Sequence, residues 1–392
     1  SGKRISFIHD SVVCLLLLLF ELSNYCFLAS TVEKKVIKYL LVLPFVLFQI
    51  HGYAKVKLDE VDWKFRTGFY SESTKTDNSN LIRSMFSLKI GKDITEELEY
   101  TLEGTLAIIN GHSKSRFGMD DYSQGFYIDE GYLKYQITGF WDLRLGAISQ
   151  EFHQNELLLS DTPFPAIVSE VLLGPEKQLK LILEQAIPTS RSLSSSSTVK
   201  EKTPSFTSAS VFYEMLPSEE LPALNLFVTY FKFQNIPSTV SFESGFLGNS
   251  ASGLEANSEF KFDFSGVSLG SSTEFKLLSR KVELGARYIR NNEASSSYDE
   301  GHLIFSGIEL TPKSKLKFTS FYNESDSSVS LYNSTELGHH NVKGLAGKYT
   351  YKSNSGINFI FNLVSSDVIS DSVLKGKSNK FSISMETPYA SF

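Results

Sequence analysis

The chain has 392 residues and a formal net charge of −6, which argues against a nucleic-acid binder, where a basic stripe is expected. Its two cysteines, Cys14 and Cys26, both precede Ser30, so the rest of the chain holds no thiol nucleophile, disulfide framework or cysteine-bound metal. Hydrophobic residues make up only 41%, too few for a bundle of membrane helices, while aromatics reach 13%.

Residues 34–54 carry the marks of a secretory signal peptide. Lys34, Lys35 and Lys38 precede an apolar run from Tyr39 to Ile50, and Gly52 and Ala54 supply a small-residue cleavage site. The run of about 12 residues is too short to span a bilayer as a helix. Residues 1–33 read as an upstream extension not native to the exported protein. The other reading is an extra hydrophobic segment over 11–29, where Val12–Phe20 is apolar but Glu21, Ser23 and Asn24 interrupt. N-terminal sequencing of the membrane-extracted protein is expected to begin at Lys55. Retention of residues 11–29 would contradict the signal assignment.

From Lys55 onward the chain alternates. In Glu97–Ile108 the even positions Leu98, Tyr100, Leu102, Leu106 and Ile108 are apolar, and Glu97, Glu99, Thr101, Glu103 and Thr105 are polar. That is the period of a strand with one apolar face. The same period recurs in sixteen stretches centred near Phe65, Phe86, Leu102, Leu133, Leu145, Leu181, Val211, Val228, Phe260, Thr273, Ala286, Phe305, Phe318, Tyr349, Phe359 and Ile383. Gly139-Phe140, Ser265-Gly266, Ser279-Arg280, Thr311–Ser314 and Ser353–Gly356 read as tight turns, whereas 110–124, 151–177, 291–300, 324–341 and 365–379 read as long polar connections. Short and long connections alternate from Arg280 onward, as in an outer-membrane barrel. The middle fits less well: 189–204 and 236–252 are long, yet parity assigns them to the short-turn end. Val240–Phe246 has room for an extra strand, so counts of about 14 to 18 stay open.

The expected fold is all-β: a transmembrane antiparallel barrel of about 16 strands in up-and-down order over 55–392. One face of the strands is apolar, with Leu98, Leu102, Leu106, Trp141, Leu143, Leu145, Phe359 and Phe361. The other repeatedly carries charge, and Lys64, Arg66, Arg83, Glu99, Glu103, Glu130, Lys134 and Arg144 are the candidate pore-lining residues. A sheet that is apolar outside and charged inside encloses water. A soluble β-sandwich with one solvated face is the competing architecture.

Tyr127–Phe152, YIDEGYLKYQITGFWDLRLGAISQEF, joins two such strands by a tight turn. With the cysteine-free barrel pattern it resembles the Gram-negative outer-membrane porins. Those proteins end in an alternating aromatic strand closed by Phe. Here Phe381, Ile383, Met385 and Tyr389 alternate before the final Phe392, but the three-residue step from Tyr389 and the presence of Pro388 break the pattern. The resemblance implies export to the outer membrane, with lipid and the barrel assembly machinery as partners, and allows a homotrimer. It implies a water-filled channel for passive diffusion of small hydrophilic solutes or ions. It also implies that 151–177 is a constriction loop, bearing Glu156, Asp161, Phe164 and Glu170. A structural or adhesive barrel with a plugged lumen is the alternative.

Neither an enzyme nor a cofactor is expected. No Walker loop, HExxH, GxSxG or dinucleotide fingerprint occurs. His339-His340 lacks further ligands nearby and reads as a solvated loop, and Asp120-Asp121 falls short of a calcium shell.

Overall fold

Alternation with turn signals demands cross-strand partners, and the chain supplies them consecutively. A computed structural model describes residues 61–74, 78–113, 124–174, 176–188, 202–217, 222–253, 257–370 and 375–391. The expected signal peptide, the upstream extension and Asp120-Asp121 lie outside the described residues. The strands are β1 (Val61–Thr74), β2 (Asn78–Asp93), β3 (Leu98–Ser113), β4 (Gln124–Thr138), β5 (Trp141–Ser149), β6 (Pro163–Leu173), β7 (Leu179–Ala186) and β8 (Ser205–Met215). They continue with β9 (Ala223–Gln234), β10 (Phe264–Leu277), β11 (Arg280–Asn291), β12 (Glu300–Thr311), β13 (Ser314–Asn323), β14 (Val342–Lys352), β15 (Asn358–Val368) and β16 (Ser378–Glu386). Each pairs antiparallel with the next, and β1 pairs with β16. The result is a closed sixteen-strand meander, which leaves no strand edge open.

Register assigns every side chain to a face. Phe65 and Phe69 lie opposite Phe86 and Ile82 and point outward, whereas Lys64, Arg66 and Gly68 lie opposite Ser87, Met85 and Arg83 and point inward. The outward set is an apolar belt in which Ile82, Leu145, Ile304 and Leu363 are each more than half exposed. The inward set includes buried Thr101, Thr105, Ser208, Ser210, Thr229 and Ser268.

Two expectations about strand content are corrected. The expected loop 151–177 contains β6, so the connection after β5 is 150–162 and the one after β6 is the short 174–178. β6 escapes the polarity pattern because its inward residues Phe164, Ala166 and Val168 are buried against apolar partners, so both faces read apolar. Conversely, the stretch around Phe260 is no barrel strand. Glu259–Phe260 pairs only with Ala251–Ser252 in a small hairpin of the 235–263 connection. Val240–Phe246 belongs to helix α1 (Ser238–Leu247) in that connection, and Ser265-Gly266, expected as a tight turn, lies inside β10, paired with Lys232 and Phe231. With these changes the connections sort by end. One end has 94–97, 139–140, 174–178, 216–222, 278–279, 312–313 and 353–357, and the other has the longer ones together with the three-residue 75–77.

The irregular C-terminus is a β-bulge. Glu386 lies opposite Arg66 and Ala390 opposite Trp63, so three residues face two. Thr387 N–H donates to the Phe65 carbonyl, and Phe65 N–H donates to Thr387 Oγ1, both at 2.9 Å. Pro388, with no N–H to offer, sits inside the bulge, and the phase shift turns the Tyr389 hydroxyl to Glu103 on the inner face.

Candidate functional site in the barrel interior

The 150–162 connection folds into the barrel instead of standing above it. Gln150–His153 forms a 3-10 turn, and Gln154 adopts a left-handed backbone at φ 56° that redirects the chain. His153 Nε2 lies 3.0 Å from a Glu184 carboxylate oxygen, which also accepts from the Ser208 hydroxyl at 3.0 Å. Both members of the His153–Glu184 pair are fully buried, and Phe152 and Phe206 flank the imidazole at 4.2 and 5.7 Å. Asn155 Nδ2 donates to Ser268 Oγ at 2.8 Å and to the Tyr288 carbonyl at 3.2 Å. Asn225 donates to Gln154 Oε1 at 2.6 Å, and Arg287 Nε donates to the Gln154 carbonyl at 2.8 Å. The loop that leaves β5 is thus anchored on β7 to β11. Its Leu157, Leu158 and Leu159 are buried with Phe164, Phe206, Phe231, Phe233 and Tyr332 in one apolar cluster.

Two other long connections complete this packing. Ser160 N–H donates to the Tyr332 carbonyl at 2.8 Å, and the Ser328 hydroxyl donates to the Leu157 carbonyl at 2.7 Å. Asn249, past the end of α1, donates to the Ser328 carbonyl at 2.9 Å and accepts from Ser330 N–H at 2.7 Å. Gly248 has φ 116°, and a Cβ there would meet the His340 carbonyl oxygen at 2.3 Å, so only glycine fits. His339-His340, expected in a solvated loop, is instead part of this interior. His340 is fully buried, with Nε2 accepting from Ser328 N–H at 3.1 Å and Nδ1 2.7 Å from Ser330 Oγ. Most residues between 324 and 341 are polar, and inside the barrel Ser328, Ser330, Asn333 and His340 bond to one another and to Asn249, which is why a polar run can be buried.

These groups make the loop packing pH-dependent. Burial, then the Lys375 and Lys380 charges, lowers His339 to about 3, and burial with Lys375 and His339 holds His340 well below 6.5. An imidazole lowered on folding contributes its stability above its unfolded value of 6.5 and loses it as pH falls toward the folded value. Burial likewise lowers Lys375 to about 7, so stability rises with pH from 7 toward 10.5. Its Nζ donates to the Leu247, Gly338 and His340 carbonyls. Asp326, raised by burial, acts in the opposite sense as pH falls, a single group against two imidazoles. Hydrogen exchange corrected for intrinsic rates is expected to show amides 327–341 losing protection from pH 7 to pH 4 while β1–β4 keep theirs. Equal protection at both values would contradict this.

The inner wall of β1–β7 is lined with ion pairs. Glu386 lies 3.4 Å from Lys64 and 3.8 Å from Arg66, and Lys89 lies 3.3 Å from Glu103. Lys134 approaches Asp142 at 3.5 Å and Glu99 at 4.0 Å, and Arg144 pairs with Glu170 at 3.3 Å. Glu130 lies opposite Glu103, and the Arg83 guanidinium lies 5.4 Å from the Tyr70 ring. All eight residues singled out from alternation therefore lie on the inward face. Of the four expected on a constriction loop, Glu156 and Asp161 lie on 150–162. Phe164 and Glu170 lie in β6, where Glu170 faces Arg144 and Phe164 packs in the cluster.

Arg144 is engaged by Glu170, while the Glu156 charge acts on Arg287 and Lys317, as does that of Glu283. Nearer the loop's ends, burial and the carboxylates of Asp161 and Glu103 push Glu151 up. Sequence reasoning missed His153, Glu184, Arg287, Lys317 and Lys348. Glu184 was the accessible signal, because a carboxylate inside the apolar stretch LKLILEQA calls for a buried partner.

Neither a known family profile nor a curated protein matches the sequence. Solved structures match its fold. The high-pH structure of OprB from Pseudomonas putida, an outer-membrane porin, aligns with a TM-score of 0.60 over 86% of this chain and 96% of that one, at 10% identity. Its low-pH structure aligns with a TM-score of 0.52 over the same shares, at 9% identity. The chain shares their fold. At such identity the likeness extends to the closed antiparallel barrel and not to individual side chains.

Proposed function

We propose that this protein is an outer-membrane porin, a water-filled channel for passive diffusion of small hydrophilic solutes or ions, narrowed by the 150–162 loop. The observation that carries the reading is the division of the closed sheet into an apolar belt outside and an ionised wall inside. The inner Lys64, Arg66, Lys134 and Lys89 side chains keep 27, 32, 37 and 39% of their surface exposed, so water reaches this wall. On this reading the signal at 34–54 directs export, assembly machinery inserts the barrel, and no cofactor or catalytic step is needed. A homotrimer is compatible with it.

A second reading has its own support. The apolar cluster of Leu157–Leu159 with Phe164, Phe206 and Tyr332 occupies interior space beside β6–β9, which favours a plugged structural barrel. Proteoliposome swelling separates the two. The channel admits arabinose faster than raffinose, at rates that fall with solute size. A folded, inserted barrel that admits neither is plugged.

A further inference from the structure

The geometry points to an oxyanion-binding subsite inside the barrel, formed by Arg287, Lys317 and Lys348 on the inward faces of β11, β13 and β14. The inference rests on the channel reading for its access route, though the subsite itself is defined by these side chains.

Lys317 and Lys348 are direct cross-strand partners on the inward face of β13 and β14. Like charges placed opposite one another destabilise a sheet. Most other basic residues of the inner wall sit against carboxylates, as Lys64, Arg66, Lys89, Lys134, Arg144 and Lys180 do; Arg83, which lies over Tyr70, and Lys276 at the rim do not. Among the described residues, neither Lys317 nor Lys348 has a carboxylate within 4.0 Å. The carboxylate that could have served them, Glu283, is held by Lys315 at 2.6 Å. Gly307, between them on β12, leaves the gap that this bridge crosses, since a Cβ there would meet Lys315 Cε at 3.2 Å.

Arg287 is fixed in place beside this pair. Its Nε donates to the Gln154 carbonyl and its Nη1 to the Ser271 and Ala286 carbonyls, at 2.8, 2.8 and 3.0 Å. The Phe227 and Phe305 rings cover the guanidinium at 5.1 and 5.2 Å, and Lys317 Nζ lies 4.0 Å from the same Phe305 ring. Nη2 makes no hydrogen bond among the described residues. Arg287 and Lys317 thus meet over one ring and Lys348 lies opposite Lys317, while of the carboxylates that act on them Glu283 is held by Lys315 and Glu156 alone is unpaired among the described residues, which leaves a net positive site with donors to offer. A small oxyanion supplies what the sheet lacks: negative charge between the lysines and acceptors for guanidinium and ammonium donors. Arg287 also holds the loop through Gln154, so the subsite lies where the loop meets the wall.

The test is single-channel current in 0.1 M KCl with added inorganic phosphate, on wild type, Lys317→Gln/Lys348→Gln and the outward-facing control Lys343→Gln. Each protein is first verified as a folded barrel by heat-modifiable mobility. Phosphate is expected to block wild type and the control alike, and roughly tenfold more weakly the double variant. The 31P linewidth of phosphate with detergent-solubilised protein reads binding without conduction. It should broaden with wild type and not with the double variant. Currents that phosphate leaves unblocked, or block equal in wild type and double variant, overturn the subsite and spare the channel. If no current flows, the channel reading fails, and the linewidth still decides the subsite: equal linewidths overturn it.

Discussion

Replacing Asn155–Leu159 by two glycines is expected to raise single-channel conductance severalfold, since it removes the segment that crosses the interior. The anchors at its root, His153 on Glu184 and Gln154 on Arg287, remain in place, so the barrel wall keeps its own pairing. The shortened loop no longer buries Leu157, Leu158 and Leu159, and Phe164, Phe206 and Tyr332 lose their cover. Stability should therefore fall as conductance rises. A folded barrel whose conductance is unchanged would show that the loop does not define the narrowest passage.

Leu145→Arg is expected to destabilise the inserted protein by roughly 2–4 kcal/mol, the cost of a basic side chain near the bilayer midplane. Leu145 is central in β5, points outward, is 53% exposed, and lies between Leu133 and Ile167 on its neighbours. On a soluble barrel the same position would be an ordinary surface site, where such a change falls within about 0.5 kcal/mol. Urea titration of the protein refolded in vesicles reads the difference. A change within the smaller range would reject the membrane assignment.

Where the interior is wet, the sequence shows the fold directly. β3 alternates Leu102, Leu106 and Ile108 against Glu99, Thr101, Glu103 and Thr105 because its two faces meet different media. Where loops dry the interior, the signal fades. Phe164, Ala166 and Val168 in β6 are as apolar as outward Ile167, and Pro163 and Pro165 argue further against a strand. Omitting β6 and counting the Phe260 stretch as a strand are opposite errors. They leave the total at sixteen and shift parity only between them, which is why parity assigns 189–204 and 236–252 to the wrong end. The interior charges divide in the same way. Alternation suffices to put Lys64 and Glu103 on one face, but the meeting of Gln154 with Arg287 joins residues 133 apart in sequence. Only register and an inward loop bring those together.

The most direct test of the central claim is the current carried by the purified, heat-modifiable barrel in a planar bilayer in KCl. Discrete, reproducible conductance steps are the predicted result. A verified folded and inserted barrel that carries no current would contradict the channel and leave the plugged structural barrel in its place.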